Sequence, residues 1–290
     1  MIDCQYLEPT TVSEACTLLA EHGDGAKVVA GGQSMAILLR NGLIQPSHLI
    51  SIQHISGLED IIASDEGVKI GAKVTLDRLI GIGETHPTLR ALDDVIGDVA
   101  DQQIRNFATL GGAICEAHPA SDISVVLSAL NASVKLASAD GERVVPISDF
   151  VTDAFATTAQ SGELLTEVIV PSFDPTSAAA AHRRFVLRAG DYPVAGVGAF
   201  VSLDGSGQCQ DVRIIVGNCS GAPVRAREAE ARLKGHGVVG NNGALAEAGE
   251  LAASHVAPSS DPMAPSEYKI DLVNVLTREA LAEAIARATG

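Results

Sequence analysis

The chain has 290 residues and a formal net charge of -16, and 46% of its residues are hydrophobic. A negative charge of this size excludes functions that need a positive field, namely nucleic-acid binding and adsorption to anionic membranes. No stretch of the sequence approaches the roughly 18 charge-free apolar residues of a membrane-spanning helix. The length allows two or three packed units, because single cores stop growing at about 250 to 300 residues.

Cysteine and histidine spacing predicts neither a metal site nor an iron–sulfur cluster in this chain. The histidines form neither H-E-x-x-H nor His-x-x-x-His. The cysteines are odd in number and scattered, with no C-x-x-C pair: Cys4, Cys16, Cys115, Cys209 and Cys219. The N-terminal sequence MIDCQYLEPTTVSEACTLLAEHG has acidic residues and a proline where a signal peptide needs a basic flank and an unbroken apolar segment, which predicts a cytoplasmic protein.

The first elements alternate between helix and strand. Thr11 and Glu14 have the spacing of a capping box, and the apolar residues of VSEACTLLA predict an amphipathic helix behind them. AKVVA predicts a buried strand that runs into Gly31-Gly32, and SMAILLRNG predicts a short helix closed by Gly42. SHLISI predicts the next strand, and IIASDEGVKIGA predicts a hairpin.

The middle of the chain continues the mixture. Helices are predicted from Leu89 to Ile104 and, after FATLGGAI, from Ile123 to Leu130. SVKLAS and RVVPI predict strands joined by an Asp140-Gly141 turn, and ELLTEVIVP predicts a strand ending at Pro171. SFDPTSAAAAH predicts a linker, because Pro, Ser and small residues replace periodic apolar ones.

Beyond that linker the pattern changes. PVAGVGAFVSLDGSGQCQDVRIIVGN predicts two long antiparallel strands, in which the G-x-G of AGVGAF is explained by packing. Three segments predict helices: VRAREAEARLKG, GALAEAGELAAS and SEYKIDLVNVLTREALAEAIARA. The chain therefore divides into an α+β part up to about residue 175 and a part made of a sheet and helices beyond it.

Two doubled glycines, Gly31-Gly32 and Gly111-Gly112, each follow an apolar run and lead into a predicted helix. Without side chains, their backbone N–H groups and the positive end of the helix can bind an anion with no lysine. Ser34 and Thr109 can add hydroxyl donors. Two such turns could each hold one phosphate of a dinucleotide. Plain turn chemistry is the alternative for one such connection, and the doubling makes it less favoured.

Neither glycine turn fits the nucleotide-binding patterns G-x-G-x-x-G or G-x-x-x-x-G-K-[ST], so a Rossmann site or a P-loop is not predicted. Two segments instead resemble the FAD-binding segments of the medium, flavoprotein subunit of molybdenum hydroxylases, the group of carbon monoxide dehydrogenase and xanthine dehydrogenase. These segments are AGGQSMAILLRNGLIQPSHLISI and QIRNFATLGGAICEAHPASDISVVLSAL. The resemblance continues in order through ELLTEVIVP, RRFVLRAGDYPVAGVGAFV and SEYKIDLVNVLTREALAEA, and so covers nearly the whole chain.

The resemblance implies an α+β fold. A two-lobed FAD-binding domain of the vanillyl-alcohol-oxidase/PCMH-like type is expected over residues 1–175, with lobes of about 1–57 and 58–175. A C-terminal domain of a three-stranded antiparallel sheet plus helices is expected over residues 176–290.

The resemblance also implies contacts to the cofactor. The first lobe would hold the pyrophosphate with residues 30–34 and the second with residues 109–113. Asp122 would hold the cofactor by hydrogen bonding, Leu165 would be an apolar flavin contact, and Tyr192 would stack over or shield the flavin ring. Arg184 stands where many relatives have a lysine near the isoalloxazine, and the two side chains differ in geometry. The implied pyrophosphate contacts are Ala30, Gly31, Gly32, Gln33, Ser34, Thr109, Leu110, Gly111, Gly112 and Ala113.

This sequence departs from the family pattern at two places. The second segment reads CEAHPASD where relatives have something close to ANADPAAD, so that Cys115, Glu116 and His118 replace small or Asn/Asp-type residues. Gln33 occupies the position where related covalent flavin oxidases place a flavin-linked histidine. An amide cannot form that bond, which predicts noncovalent FAD.

Family membership implies an electron-transfer role without catalytic residues in this chain. Electrons would pass from iron–sulfur clusters through FAD to an external acceptor. The partners would be a large molybdopterin subunit and a small 2Fe-2S subunit, in a dimer of heterotrimers. The substrate is chosen in the large subunit and could be carbon monoxide, a purine, an N-heteroaromatic, an aldehyde or an aromatic thioester; the acceptor could be oxygen, a quinone, a cytochrome or NAD.

Two other hypotheses make different predictions. A stand-alone flavin oxidase or dehydrogenase of a small alcohol or amine would turn over without any partner. A flavin-free binding or scaffolding protein would be colourless, and its glycine turns would only connect elements.

Overall fold

The N-terminal sheet is parallel and has the strand order β1-β3-β2 in this computed structural model, which describes residues 4–290. The first three residues of the predicted first lobe lie outside the described residues. The strands are β1 (Gln5–Leu7), β2 (Ala26–Val29) and β3 (His48–Ser51), with helices α1 (Val12–His22) and α2 (Gln33–Arg40) beside them. The helices predicted behind Thr11 and before Gly42 are confirmed.

The start of α1 shows how the predicted capping box works. The Thr11 hydroxyl accepts a hydrogen bond from the Glu14 N–H at 3.1 Å. The Glu14 carboxylate accepts from the Thr10 N–H at 2.9 Å, one residue earlier than the standard reciprocal bond. The first bond satisfies an N–H group that the helix itself leaves without a partner, and the second ties the preceding residue to the first turn.

The central sheet is antiparallel and has the strand order β4-β5-β10-β6-β7. Its strands confirm the predicted hairpin, the SVKLAS–RVVPI pair and the strand ending at Pro171. They are β4 (Ile61–Ser64), β5 (Gly67–Gly71), β6 (Ser133–Ser138), β7 (Gly141–Pro146) and β10 (Leu164–Pro171); a small ribbon of β8 (Val151–Asp153) and β9 (Ala156–Thr157) lies nearby. The accompanying helices are α3 (Ile82–Thr85), α4 (Arg90–Ile96), α5 (Gln102–Arg105), α6 (Leu110–Glu116), α7 (Asp122–Ala129) and α8 (Ile147–Phe150).

The prediction of one continuous helix from Leu89 to Ile104 is wrong. The structure has α4 and α5 with a break between them, in which Ala100 adopts a φ of 47°. Gly97 has low helix propensity and ends α4. The Asp101 carboxylate then accepts from the Ile104 N–H at 2.9 Å and begins a new helix. An N-cap residue inside an apolar pattern therefore overrides the periodicity.

The C-terminal sheet differs from the prediction in its first strand and in its last strand. The resemblance implies three strands, whereas the order is β11-β12-β13-β14, with a fourth strand of two residues. Part of the predicted linker also belongs to β11, since the alanines pair with β12 while only residues 172–177 connect the sheets. Strand propensity depends on packing, so an alanine-rich strand gives little sequence signal. The strands are β11 (Ala178–Phe185), β12 (Ala195–Leu203), β13 (Cys209–Gly217) and β14 (Val224–Arg225).

Three helices follow the C-terminal sheet and confirm the predicted helical segments: α9 (Arg227–Leu233), α10 (Asn242–Ser254) and α11 (Ser266–Ala288). The glycines of AGVGAF lie inside β12, as their interpretation as packing residues requires. A methyl group on Gly198 would lie 3.2 Å from the Val125 carbonyl oxygen, so the missing side chain lets β12 approach α7.

Each sheet has its own hydrophobic core, and the cores join at specific side chains. Leu164 of β10 belongs to the core under the N-terminal sheet, whereas Leu165 belongs to the central core. The Cys16 thiol donates to the Ala137 carbonyl at 3.2 Å and links α1 to β6. Ala180 and Phe200 of the C-terminal sheet pack into the central core. Within residues 4–290, no helix is long and apolar enough to cross a membrane.

Candidate functional site

The first doubled glycine forms an open turn between β2 and α2. Gly32 caps the helix with a φ of 72°, a left-handed conformation that glycine adopts without a side-chain clash. Within residues 4–290, the only atom within 4 Å of an added Cβ there is a Val29 methyl at 3.9 Å. Among the described residues, the backbone N–H groups of Gly31, Gly32, Gln33 and Ser34 have no hydrogen-bond acceptor. Together with the positive end of α2, these groups are suited to bind an anion.

The second doubled glycine is not a turn before a helix, as the sequence predicted, but the first turn of α6 itself. The Thr109 hydroxyl caps the helix and accepts from the Gly112 N–H at 3.1 Å. The N–H of Leu110 donates to Val74 at 2.9 Å, and that of Gly111 donates to Ala72 at 3.0 Å. A threonine with N-cap geometry fixes the helix start ahead of the glycines. The backbone donors here are therefore already used inside the chain.

The two glycine segments lie against each other. A methyl group on Gly31 would overlap the backbone carbonyl of Phe107, two residues before Thr109. The Ala108 carbonyl in turn accepts from the Leu76 N–H at 2.8 Å, which attaches this segment to the loop after β5. The chain just before the second segment therefore contacts the first segment, while Ala30 packs against the N-terminal core and Ala113 against the central core.

Gln33 and Ser34 occupy the first turn of α2, and both are partly exposed. The Gln33 side-chain amide donates to the Gly31 carbonyl at 3.3 Å, so it folds back onto the turn. This bond stabilises the left-handed conformation of the turn and leaves the backbone N–H groups uncovered. Ser34 remains available as the additional hydroxyl donor that the sequence predicted.

Leu165 is buried in the central core and lies close to the second glycine segment. It pairs with Leu136 of β6 and precedes a bulge in β10. The next residue, Thr166, accepts from the Ala72 N–H at 2.9 Å, and the Ala72 carbonyl accepts from Gly111. Two hydrogen bonds through Ala72 therefore connect Gly111 with Thr166, the residue that follows Leu165.

Asp122 begins α7 and is only 5% exposed. Its Oδ2 lies 3.0 Å from Arg184 Nη1, and its Oδ1 lies 3.2 Å from His182 Nε2. Both partners project from β11 on the same face, because alternate strand residues share a face. A methyl group on Gly196 of β12 would lie 2.6 Å from Asp122 Oδ1, so this glycine makes room for the cluster. His182 was missed by the sequence analysis, although its spacing of two from Arg184 could have indicated it.

At the junction between the central and C-terminal units, acidic side chains lie on one side and basic side chains on the other. Arg184 also lies 3.1 Å from Asp98, and the backbone N–H of His182 donates to the Asp94 carboxylate at 2.9 Å. Arg287 of α11 binds Asp94 through two bonds of 2.8 and 2.9 Å. The central unit thus supplies the carboxylates of this cluster and the C-terminal unit its cations. Planar two-point arginine–carboxylate contacts fix orientation as well as distance.

Tyr192 lies in the loop between β11 and β12 and is 56% exposed. Its ring stacks on His118, with ring centroids 4.2 Å apart and planes inclined by 6°. Phe155 meets the edge of His118 at 5.2 Å. Burial, reinforced by the charge of Glu116, raises the pKa of Tyr192. Two of the departures from the family pattern, Glu116 and His118, therefore surround Tyr192, whereas Cys115 lies on an exposed part of α6.

The site fits a dinucleotide on three observations. The first turn presents free N–H donors, and a side chain on Gly32 would project into the space beside them. Gly112 has open space around it apart from the Thr109 hydroxyl, at 2.8 Å from an added Cβ. Asp122 Oδ1 is buried and makes no hydrogen bond of good geometry in the described chain, although His182 Nε2 lies 3.2 Å from it. These features suit a nucleotide-binding protein and favour phosphate contacts from backbone amides over contacts from lysines.

Comparisons with known proteins place the chain more narrowly. Residues 2–173 match the model of the FAD binding domain in molybdopterin dehydrogenase, and residues 180–284 match that of the CO dehydrogenase flavoprotein C-terminal domain. The chain belongs to the FAD-binding medium subunits of the molybdenum hydroxylase family. The predicted family, cofactor and oxidoreductase class are therefore confirmed.

Relatives match over nearly the full length. The alpha subunit of the 6-hydroxypseudooxynicotine dehydrogenase complex of Paenarthrobacter nicotinovorans is 33% identical, over 98% of this chain and 95% of that protein. The glyceraldehyde dehydrogenase medium chain of Sulfolobus acidocaldarius is 32% identical, over 96% of this chain and 97% of that protein. A chain of the reconstituted CO dehydrogenase from Oligotropha carboxidovorans has a TM-score of 0.92 at 31% identity, covering 98% of both chains. The predicted mixed α and β fold, with an FAD-binding part and a C-terminal part, is confirmed by this likeness.

Proposed function

We propose that this chain holds FAD noncovalently and passes electrons from iron–sulfur clusters of a partner subunit to an external acceptor. The observation that carries the proposal is the open first turn, whose N–H groups lie unused at the junction of the N-terminal and central sheets. An acidic chain can bind a diphosphate there without a general positive field. When bound, FAD supplies both one-electron and two-electron chemistry.

Residues of this chain orient the cofactor and take no covalent part. The first segment supplies N–H donors from Gly31 to Ser34, and the second supplies the close backbone approach at Gly112. Gln33 supports noncovalent binding, because its amide cannot form the bond made by a flavin-linked histidine. Ala30, Thr109, Leu110, Gly111 and Ala113 shape the walls of the pyrophosphate site.

The remaining proposed contacts lie toward the flavin. Asp122 accepts hydrogen bonds from the cofactor; its Oδ1 lies 3.2 Å from His182 Nε2 but makes no hydrogen bond of good geometry within the described residues. Leu165 supplies an apolar contact at the end of the central core. Arg184, which Asp122 and Asp98 hold in place, sets a positive charge beside the ring. Tyr192 shields the ring from solvent.

The chain works within a larger assembly. We propose a large molybdopterin subunit and a small 2Fe-2S subunit as partners, in a dimer of heterotrimers. The relatives reported above are named as a subunit of a complex and as a medium chain, which supports this proposal and not the stand-alone oxidase. We place the domain boundary at about residue 175, within the gap between the two family matches, and the lobe boundary at about residue 57. The free thiols of the five cysteines favour the cytoplasm.

The test is purification of the full chain with whatever subunits accompany it. We expect a flavin absorbance that heat or acid releases into the supernatant, and bands of a large and a small partner. A colourless preparation that takes up no added FAD would refute the cofactor assignment. Flavin that stays with the denatured protein would refute noncovalent binding, and substrate turnover by the isolated chain would favour the stand-alone oxidase.

A further inference from the structure

Three aromatic side chains from separate segments meet beside the second glycine segment. His118 follows α6, Phe155 lies between β8 and β9, and Tyr192 lies between β11 and β12. We call these three residues the aromatic cluster. His118 is its centre, with Tyr192 stacked on its face and Phe155 against its edge. Such pairs contribute beyond the area that they bury.

The ring of His118 is fixed independently of Tyr192. Its Nδ1 accepts a hydrogen bond from the Ala120 N–H at 3.1 Å, which leaves the proton of the neutral ring on Nε2. Burial lowers the pKa of His118, and the charge of Glu116 opposes this effect only in part. The imidazole is therefore neutral near pH 7, and its orientation is set by the backbone that follows it.

Backbone strain supports the same arrangement. Phe155 has a φ of 58° and Ala117 a φ of 48°, and both lack the freedom of glycine. The Phe155 N–H donates to the Ala117 carbonyl at 2.8 Å, so the two strained residues hold each other. A bulky residue rarely adopts this conformation and persists in it only where the surroundings fix it. This fixed backbone holds Phe155 where its ring meets the edge of His118.

Tyr192 has one covered face and one free face. His118 covers the first, and an exposure of 56% leaves the second to solvent. The loop is held on both sides of the ring, since Asn218 donates to the Pro193 carbonyl at 2.9 Å and the Asp191 N–H donates to Arg188 at 3.1 Å. The phenol is thus positioned with a flat surface available for a second planar group.

We propose that His118, with Phe155 behind it, is the positioning residue that holds Tyr192 ready to stack on the flavin ring. The inference rests on the proposed function, in which Tyr192 shields that ring. A ring ordered before FAD arrives loses less conformational freedom on binding, and so raises affinity. His118 itself need not touch the cofactor.

The test compares His118→Ala, which removes the stack, with His118→Phe, which keeps an aromatic face. The exposed His255, far along the chain in the C-terminal unit, provides the control His255→Ala. Each full-length variant is purified with its partner subunits, and FAD affinity and the fluorescence of bound FAD are measured. We expect about fivefold weaker FAD binding and brighter flavin for His118→Ala, because a stacked phenol quenches flavin emission. His255→Ala should stay within about twofold of the parent protein, whereas His118→Phe, which keeps the stack but loses the Nδ1 bond, should lie between the parent and His118→Ala.

A double-mutant cycle with Tyr192→Ala tests whether His118 affects FAD binding through Tyr192 or through the overall structure of the protein. If His118 acts through Tyr192, the double variant His118→Ala/Tyr192→Ala binds FAD no more weakly than Tyr192→Ala alone. Additive losses, an unchanged His118→Ala, or a His118→Phe as defective as His118→Ala would each overturn the inference while FAD binding itself stands. A parent protein that binds no FAD would instead overturn the proposed function.

Discussion

Gly31-Gly32 and Gly111-Gly112 follow similar apolar runs, but the backbone around the first pair is open and that around the second is closed. In the first pair the N–H groups lack acceptors in the described chain, and Gly32 is left-handed. In the second pair the N–H groups bind Ala72 and Thr109, and both glycines are helical. The same dipeptide therefore supplies hydrogen-bond donors in one segment and close packing in the other.

This difference divides the roles within the site. The first segment should provide most of the binding energy for phosphate, because only its donors are free. The second segment should contribute by leaving room for the cofactor, since Gly111 lets α6 approach Ala72 and Gly112 has no side chain on its outer surface. The predictions below test this asymmetry, beginning with the largest expected effect.

Gly31→Ala should have the largest effect, because the added methyl group would overlap the backbone carbonyl of Phe107. Backbone cannot rotate away as a side chain can, so the N-terminal and central sheets would have to separate. We expect a loss of about 3 kcal/mol in the free energy of unfolding, together with loss of FAD. Urea denaturation measures the first and flavin absorbance the second. Gly97→Ala is the control, since an added Cβ there meets nothing within 4 Å and φ is -59°; a stable, FAD-replete Gly31→Ala would refute the contact.

Gly32→Val and Gly112→Val should separate the two segments by their effect on FAD affinity. Valine at position 32 would strain a left-handed residue and block the free donors, so we expect at least a 100-fold loss, about 3 kcal/mol. Valine at position 112 blocks the approach of the cofactor and also crowds the Thr109 hydroxyl, which lies 2.8 Å from an added Cβ, and we expect a loss of about tenfold. Gly42→Val is the matched control, because Gly42 has a φ of 67° beyond the other end of α2 and no atom near an added Cβ. Equal losses at positions 32 and 112 would contradict the asymmetry.

Local sequence signals account for what could be predicted. Glycine at a left-handed turn, threonine at a helix start and β-branched runs act over a few residues, so Gly32, the capping Thr11 and the strand ending at Pro171 are visible in the sequence, whereas the cap formed by Thr109 is not. The break between α4 and α5 is not visible either, because the apolar period continues through Gly97. The sequence predicts a linker at the alanines of β11, because their strand conformation depends on packing against β12.

The site was only partly predictable for the same reason. The sequence singled out Asp122, Arg184 and Tyr192 one by one, through resemblance, but not the partners that position them. His182 joins Asp122 only because β11 of the C-terminal unit lies beside α7. His118 joins Tyr192 through a contact between distant loops. Contacts of this kind are set by tertiary packing, on which local patterns carry no information.

Thr109→Val should produce a moderate effect on stability and a small one on FAD. Valine matches threonine in shape but removes the hydroxyl that caps α6, which should cost about 1 kcal/mol of unfolding free energy. The Gly112 N–H would then be free, and we expect FAD affinity to change by less than about threefold. Thr109→Ser, which retains the cap, should behave as the parent protein. A tenfold loss of FAD affinity in Thr109→Val, rescued by serine, would mean that the hydroxyl binds the cofactor directly.

Glu163→Gln should have the smallest effect and tests whether a second junction between the N-terminal and central sheets also influences the glycine segments. Glu163 binds Arg143 at 2.6 and 2.8 Å, and a methyl group on the neighbouring Gly162 would lie 3.3 Å from Ala20 of α1, at a second junction. The hydrogen bond from Arg143 holds the pKa of Glu163 below its ordinary value of 4.5. The stabilisation is therefore present above pH 4.5 and is lost as the pH falls through the lowered pKa.

Thermal unfolding of Glu163→Gln and the parent protein should accordingly differ at pH 7 and converge in acid. FAD content at pH 7 should be the same in both, since this junction holds the loop before β10 and contributes no donor to the phosphate site. A pH-independent difference would mean that Glu163 acts through packing and not through its charge. A loss of FAD would mean that the second junction also sets the geometry of the glycine segments, and that the open turn depends on more than its contact with Phe107.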